Sequence, residues 1–68
     1  MFPKLRGRII EKYDTLRNFA KALNVTEATL SLKLSGKSAF TYEDIERIRE
    51  LLDISVDEIG AYFFTKRL

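Results

Sequence analysis

The 68 residues of this chain suffice for one small domain, which we take to span residues 1–68, and leave no room for a separate catalytic domain. Cysteine and histidine are both absent, so the chain lacks disulfides, the commonest metal ligands and the commonest general base, and we expect neither enzyme activity nor a cofactor or metal site. The net charge of +2 is unevenly distributed: residues 1–40 hold eight basic and three acidic side chains, a charge of +5, whereas residues 41–68 hold four basic and seven acidic ones, a charge of −3.

The first predicted helix runs from about Pro3 to about Tyr13. Pro3 suits a first helical turn, because its missing N–H would have no partner there. Leu5, Ile9 and Tyr13 recur at helical spacing and define an apolar side. Gly7 inside this helix costs about 1 kcal/mol relative to Ala, which we interpret as a sign of close packing against another helix.

Two short helices joined by a tight turn follow, from about Leu16 to Leu23 and from about Glu27 to Leu34. Thr15 and Thr26 precede them as N-cap residues. Asn24 suits the turn, because Asn tolerates the left-handed conformation. Apolar or small residues mark the buried sides of the pair: Leu16, Phe19, Ala20, Leu23, Leu30 and Leu34. The small side chain of Ala20 predicts a close crossing of the two helices.

A loop after Gly36 leads to a fourth predicted helix, for which Thr41 is the N-cap. Its apolar face comprises Ile45, Ile48 and Leu52. Ser55 and Glu58 have the spacing of a capping box, which predicts the start of a fifth helix. Three of its residues are expected to point inward: Val56, Ile59 and Phe63.

Three successive aromatic residues, Tyr62, Phe63 and Phe64, cannot all face one core from a helix, because each residue turns by about 100°. One interpretation is that they cap the core. The other is that Tyr62 and Phe64 contact a second copy of the chain, which makes them dimer candidates.

The helix pair resembles the helix-turn-helix of the lambda-repressor-like family, the Cro and CI type of phage and bacterial transcriptional regulators. The matching features are Phe19-Ala20, Leu23, the turn at Asn24-Val25, Thr26, Leu30 and Ser35-Gly36-Lys37. Asn24 stands where that family usually has Gly, and Lys33 stands where an inward apolar residue is common. The resemblance covers most of the chain. It implies an all-α, five-helix domain whose third helix enters the major groove of DNA, and pairing through the C-terminal region.

By position in that motif, one set of residues is expected to contact base edges: Thr26, Glu27, Ala28, Ser31 and Leu32. A second set is expected to contact phosphates at the ends of the two helices: Thr15, Leu16, Arg17, Lys33, Ser35, Lys37 and Ser38. Simpler interpretations exist for several of them. Thr26 caps its helix in any case, Leu32 could pack against a neighbour, and any single Lys or Arg could be a solvated side chain.

These patterns predict a Cro-like or repressor-like regulator that occupies an operator in double-stranded DNA, with a weak homodimer. An antitoxin-type autoregulator is the alternative within that class. The alternative from another class is a protein-interaction module that keeps the fold without binding DNA, which Glu27 and Leu32 on the expected DNA-facing side favour slightly. No apolar run approaches the roughly 20 residues of a membrane span, and no secretory signal is recognisable. We therefore expect a cytoplasmic, nucleoid-associated protein with no membrane partner.

Overall fold

The computed structural model describes residues 1–64 and is all-helical, with no strand in that range. Its five α-helices are α1 (Pro3–Tyr13), α2 (Leu16–Leu23), α3 (Glu27–Leu34), α4 (Tyr42–Leu52) and α5 (Ile59–Phe63), and a single 3₁₀ turn at Val56–Glu58 precedes α5. The predicted five-helix fold class is thereby confirmed for these residues. The last four residues of the predicted domain, 65–68, lie outside the described part.

Side chains satisfy free backbone N–H groups at the starts of α2, α3 and α4, which explains why the predicted boundaries hold there. The hydroxyl oxygens of Thr15, Thr26 and Thr41 each accept a hydrogen bond, at 3.0 or 3.1 Å, from the N–H of the residue three positions later. All three predicted N-caps are therefore confirmed. The capping box at Ser55 and Glu58 is also present, and both the N–H and the hydroxyl of Ser55 lie 3.2 Å from Glu58 Oε1.

All five helices contribute to one hydrophobic core. The buried side chains are Leu5, Ile9, Phe19, Ala20, Leu23, Leu30, Leu34, Ile48, Leu52, Ile54, Tyr62 and Phe63. The Cα radius of gyration is 11.0 Å, close to the value of about 11 Å expected for a folded domain of this length. No charged side chain is buried among residues 1–64, so the centre of the domain is held by apolar packing alone.

Long side chains close the C-terminal ends of α2 and α4, whose last carbonyl groups have no partner within the helix. Arg47 Nη2 donates to the carbonyl oxygen of Leu23 at 2.7 Å and so joins α4 to the end of α2. Arg8 Nε donates to the carbonyl oxygen of Leu52 at 3.0 Å. These bonds fix the orientation of α1 and α2 against α4.

The first two residues fold back onto the loop that follows α3. The rings of Phe2, Phe40 and Phe63 form an edge-to-face series, with centroids 5.2 Å apart for the first pair and 5.4 Å apart for the second. Met1 lies against Gly36, whose φ of +87° is a left-handed backbone conformation that a residue with a Cβ adopts only under strain. The loop between α3 and α4 is thereby attached to both ends of the described chain.

Two expectations from the sequence were wrong. Val56 is 67% exposed, because it belongs to the 3₁₀ turn and the neighbouring Ile54 occupies the core instead. Gly7 is not at a close helix crossing, since no side chain or neighbouring backbone atom lies within 4 Å of the position that its Cβ would take.

Ala20 is 2% exposed and lies on α2, which packs against α1, α3 and α4. We predict that Ala20→Leu lowers the free energy of unfolding by about 1–3 kcal/mol, because overpacking a filled site forces neighbours to move. Ala22 lies on the exposed side of the same helix, so Ala22→Leu is the matched control and should change stability little. Thermal denaturation of both variants measures this, and equal midpoints would show that Ala20 is not at a tight crossing.

Candidate functional site

The connection between α2 and α3 is as short as the sequence predicted. Asn24 adopts the left-handed conformation, with φ of 65° and ψ of 42°. The N–H of Val25 donates to the carbonyl oxygen of Ala20 at 3.0 Å, which closes the end of α2. The next residue, Thr26, already caps α3. The chain therefore changes direction within three residues, and α3 begins immediately after them and packs against α2.

The two sides of α3 differ sharply in their surroundings. Leu30 and Leu34 are almost completely buried, at 1% and 0% exposure. Ala28 and Leu32 each lie two positions from Leu30, a rotation of about 200° around the helix, and both are exposed, Leu32 by 48%. The predicted base-contacting residues are all exposed: Thr26, Glu27, Ala28, Ser31 and Leu32. We refer to Glu27, Ala28, Thr29, Ser31 and Leu32 as the outer face of α3.

The hydroxyl groups near the outer face have different partners. Thr26 Oγ1 accepts from the N–H of Thr29 at 3.1 Å and donates to Thr29 Oγ1 at 2.9 Å, so its capping role is confirmed. Within residues 1–64, the Ser31 hydroxyl takes part in no hydrogen bond. Ser31 is therefore the residue of α3 whose hydroxyl can both donate to and accept from another molecule, whereas the Thr29 hydroxyl, which accepts from Thr26, keeps only its proton to donate.

The predicted phosphate-contacting residues fall into two groups at the ends of the helix pair. At the start of α2, Thr15 is the N-cap, Leu16 packs partly against the core and Arg17 is exposed. After α3, the hydroxyl of Ser35 donates to the carbonyl oxygen of Leu32 at 2.9 Å.

The loop beyond Ser35 is tied to the same atom, because the N–H groups of Lys37 and Ser38 also donate to the Leu32 carbonyl oxygen, at 3.0 and 3.2 Å. The side chains of both residues are exposed. Neither Lys37 nor Arg17 forms an ion pair with a carboxylate within the described residues. Both cations are thus free to meet an external anion.

Lys33 differs from the prediction. Its ammonium group forms an ion pair with Asp44 at the start of α4, and the two side chains are only 18% and 22% exposed. Asp44 Oδ2 also accepts from the N–H of Thr41 at 2.9 Å. Lys33 lies three residues after Leu30, on the inner side of α3, so it connects α3 to α4 instead of facing an external phosphate.

The carboxyl of Asp44 is influenced by opposing effects. Burial raises the pKa of the Asp44 carboxyl, but the hydrogen bonds from Lys33 and Thr41 outweigh burial and leave the pKa below its ordinary value. Asp44 lies in the first turn of α4. Its pairing with Lys33 joins positions 11 residues apart, which helical periodicity does not reveal.

The three aromatic residues at the end of α5 differ in their exposure to solvent. Tyr62 and Phe63 are buried, at 7% and 5% exposure, whereas Phe64 is 62% exposed. The Lys4 ammonium group lies 4.9 Å from the centre of the Tyr62 ring, so Tyr62 is covered by α1. Tyr62 therefore belongs to the core and offers little surface to a second copy, which leaves Phe64 as the aromatic side chain open to one.

A depression of about 400 Å³ lies between α1 and α4, lined by Arg8, Glu11, Lys12, Tyr13 and Leu51. Its polar groups already serve the fold, since Arg8 binds the end of α4 and the Tyr13 hydroxyl donates to the Leu51 carbonyl oxygen at 3.3 Å. In the described range, no three acidic, Cys or His residues lie close enough to hold a metal ion.

A family model described as "Protein of unknown function (DUF739)" matches residues 1–66. The chain belongs to the DUF739 family. A comparison with curated proteins found no match. Among residues 1–64, no helix of this family member combines the length and the apolar character needed to cross a membrane.

The Lys33–Asp44 pair predicts a specific acid sensitivity. Because the folded-state pKa of Asp44 is lowered, its contribution to stability is present above the unfolded-state pKa of about 4 and is lost as the pH falls through the folded-state pKa. We expect Asp44→Asn to lower the free energy of unfolding by about 1–2 kcal/mol at pH 7. Its free energy of unfolding should differ less from that of the wild type as the pH falls below about 4. Urea denaturation between pH 2 and pH 7 measures this.

Glu43 is the matched control, because it is exposed, lies next to Asp44 and has no ion pair among the described residues. The free energy of unfolding of Glu43→Gln should fall between neutral and acidic pH by the same amount as that of the wild type. If the free energy of unfolding of Asp44→Asn depends on pH in the same way as that of the wild type, Asp44 is not the group that links pH to stability.

Proposed function

We propose that this chain is a sequence-specific double-stranded DNA-binding regulator of transcription, in which α2 and α3 form a helix-turn-helix and α3 enters the major groove. The observation that carries the proposal is the pairing of a tight α2–α3 connection with an α3 whose outer face is unoccupied. A helix buried on one side and free along the other can be presented to a groove wide enough for it. The role implies a cytoplasmic, nucleoid-associated protein.

The size of the side chains supports this geometry. Ala28, Thr29 and Ser31 are short, and all three are exposed. Short side chains let the helix backbone come close to the base edges, where methyl and hydroxyl groups of the protein can contact them. Only Glu27 on the outer face is charged, so the attraction for a polyanion must come from the flanking segments.

The charge distribution around α3 supplies that attraction. Arg17 and Lys21 on α2, and Lys37 after α3, are exposed and lack an ion-pair partner in the described range. Acidic residues concentrate on α4 and in the turn before α5, in the half of the chain with a charge of −3. This arrangement favours contacts with phosphates on either side of α3, which position a protein on DNA without reading its sequence.

The alternative, a protein-interaction module, is favoured by one observation: Leu32 is an apolar side chain that remains 48% exposed in the middle of the outer face. Such a residue is also found at the centre of protein interfaces. The two functions differ in the effect of salt, because only binding to a polyanion releases condensed counterions.

We predict that binding to a labelled duplex weakens steeply with salt and that Arg17→Ala and Lys37→Ala each reduce the slope of log K against log salt by about 1. Lys12 is an exposed cation on α1, outside the α2–α3 pair, so Lys12→Ala is the control that should keep the slope. Fluorescence anisotropy measures all four proteins. Binding that does not respond to salt, or no binding to any duplex, would contradict the DNA-binding function.

We further propose that two copies pair through Phe64 on DNA. Its 62% exposure at the end of α5 contrasts with the buried Tyr62 and Phe63 beside it. A two-fold pair could place two α3 helices about 34 Å apart, one turn of B-DNA, and would require a near-palindromic site.

Phe64→Ala should therefore reduce the affinity and cooperativity of operator binding while leaving thermal stability within about 0.5 kcal/mol of wild type. Phe63→Ala should destabilise the monomer instead, by about 3–5 kcal/mol. Val56, 67% exposed in the turn before α5, provides the neutral control Val56→Ala. Sedimentation and titration of sites with varied half-site spacing test the pairing; one copy per site, whatever the spacing, would refute it.

A further inference from the structure

The outer face of α3 lacks the side chains that make paired hydrogen bonds to purines. Arg and Lys contact guanine in this way, and Asn and Gln contact adenine. None of the four residue types occurs on the outer face. Lys33 is the one basic residue of α3, and its ammonium group is engaged with Asp44. The outer face therefore offers no Arg, Lys, Asn or Gln side chain for paired hydrogen bonds to a purine, and its hydroxyl groups can make only single ones.

Apolar groups occupy the centre of the outer face instead. Ala28 and Leu32 are one helical turn apart, opposite the buried Leu30 and Leu34. The hydroxyl of Thr29 is already bonded to Thr26, at 2.9 Å. Ser31, beside the apolar pair, is the remaining neutral polar group. The part of α3 that would approach DNA most closely is thus mainly a methyl-bearing surface.

We propose that α3 recognises its DNA site through the C5-methyl groups of thymine, with Ala28 and Leu32 as the contacting residues. This inference rests on the proposed DNA-binding function. The thymine methyl is the apolar group that the four base pairs display in the major groove, so it is the chemical complement of this surface. Glu27, at the start of α3, adds a carboxylate that accepts from the N4 amino group of cytosine.

Charge distinguishes DNA from a protein as the occupant of this surface. The segments on both sides of α3 present cations without carboxylate partners in residues 1–64, Arg17 and Lys21 before it and Lys37 after it. In chain order, the apolar residues of α3 lie between segments that carry these exposed cations, a composition that suits a groove whose floor carries methyl groups and whose rims carry phosphates. A site recognised in this way contains thymine at the positions that face Ala28 and Leu32.

The test begins with selection of bound sequences from a random duplex pool. In the selected site, each thymine is then replaced by deoxyuridine, which keeps every hydrogen-bonding group and removes only the methyl. We expect about fourfold weaker binding for each contacted methyl, the factor that corresponds to about 0.8 kcal/mol for one buried carbon group. Positions outside the contact with α3 should show no loss.

A double-mutant cycle assigns the contact to a residue. Leu32→Ala should weaken binding to the thymine site, and deoxyuridine at the position facing Leu32 should then cause no further loss. Ser31→Ala is the matched control from the same face and should retain the full sensitivity to deoxyuridine. Thermal denaturation verifies that Leu32→Ala, which alters an exposed side chain, still folds.

The outcomes separate the two proposals. If the protein binds a selected site but deoxyuridine changes nothing, thymine recognition is wrong and the DNA-binding function stands. If it binds DNA without any sequence preference, thymine recognition is overturned together with the sequence specificity of the proposed function. If it binds no duplex even at low salt, both proposals fail, and the exposed Leu32 belongs to a surface for another protein.

Discussion

The close packing of α3 on α2 is the constraint from which the rest of the molecule follows. Phe19, Ala20 and Leu23 of α2 are buried, and Leu30 and Leu34 of α3 are buried in the same core. Once these two leucines are inside, the helical repeat of about 100° per residue forces Ala28 and Leu32 outward. The composition of the outer face is therefore a direct consequence of the way the core is packed.

Much of the fold could be predicted because local chemistry defines the ends of the helices. Threonine hydroxyls cap α2, α3 and α4, and a left-handed Asn24 ends α2, and each of these features is visible in a few consecutive residues. The prediction failed for Val56, because the capping box at Ser55 starts a 3₁₀ turn, in which i→i+3 bonds change the direction of each side chain. That choice depends on Ile54 entering the core, which local sequence does not show.

For the candidate site, the sequence predicted which side chains are exposed but not every contact that they make. Helical periodicity correctly placed four residues of α3 in solvent: Glu27, Ala28, Ser31 and Leu32. It could not identify the partner of Lys33, because Asp44 comes from another helix. The burial of Tyr62 and Phe63 could not be predicted from α5 alone, because it depends on two other segments of the chain. Tyr62 and Phe63 both lie buried, since α5 fits between Lys4 of α1 on one side and Phe40 of the loop on the other. A single helical face could not have covered both rings.

The end of α3 is held by three separate contacts. The Lys33–Asp44 pair joins it to α4, the Leu32 carbonyl oxygen binds the loop that follows, and Phe40 anchors that loop between Phe2 and Phe63. The outer face of α3 and the exposed cation of Lys37 therefore belong to one rigid unit. A surface that is already ordered loses less conformational entropy when it binds. Under the proposed DNA-binding function, this preorganisation raises affinity for DNA without adding contacts.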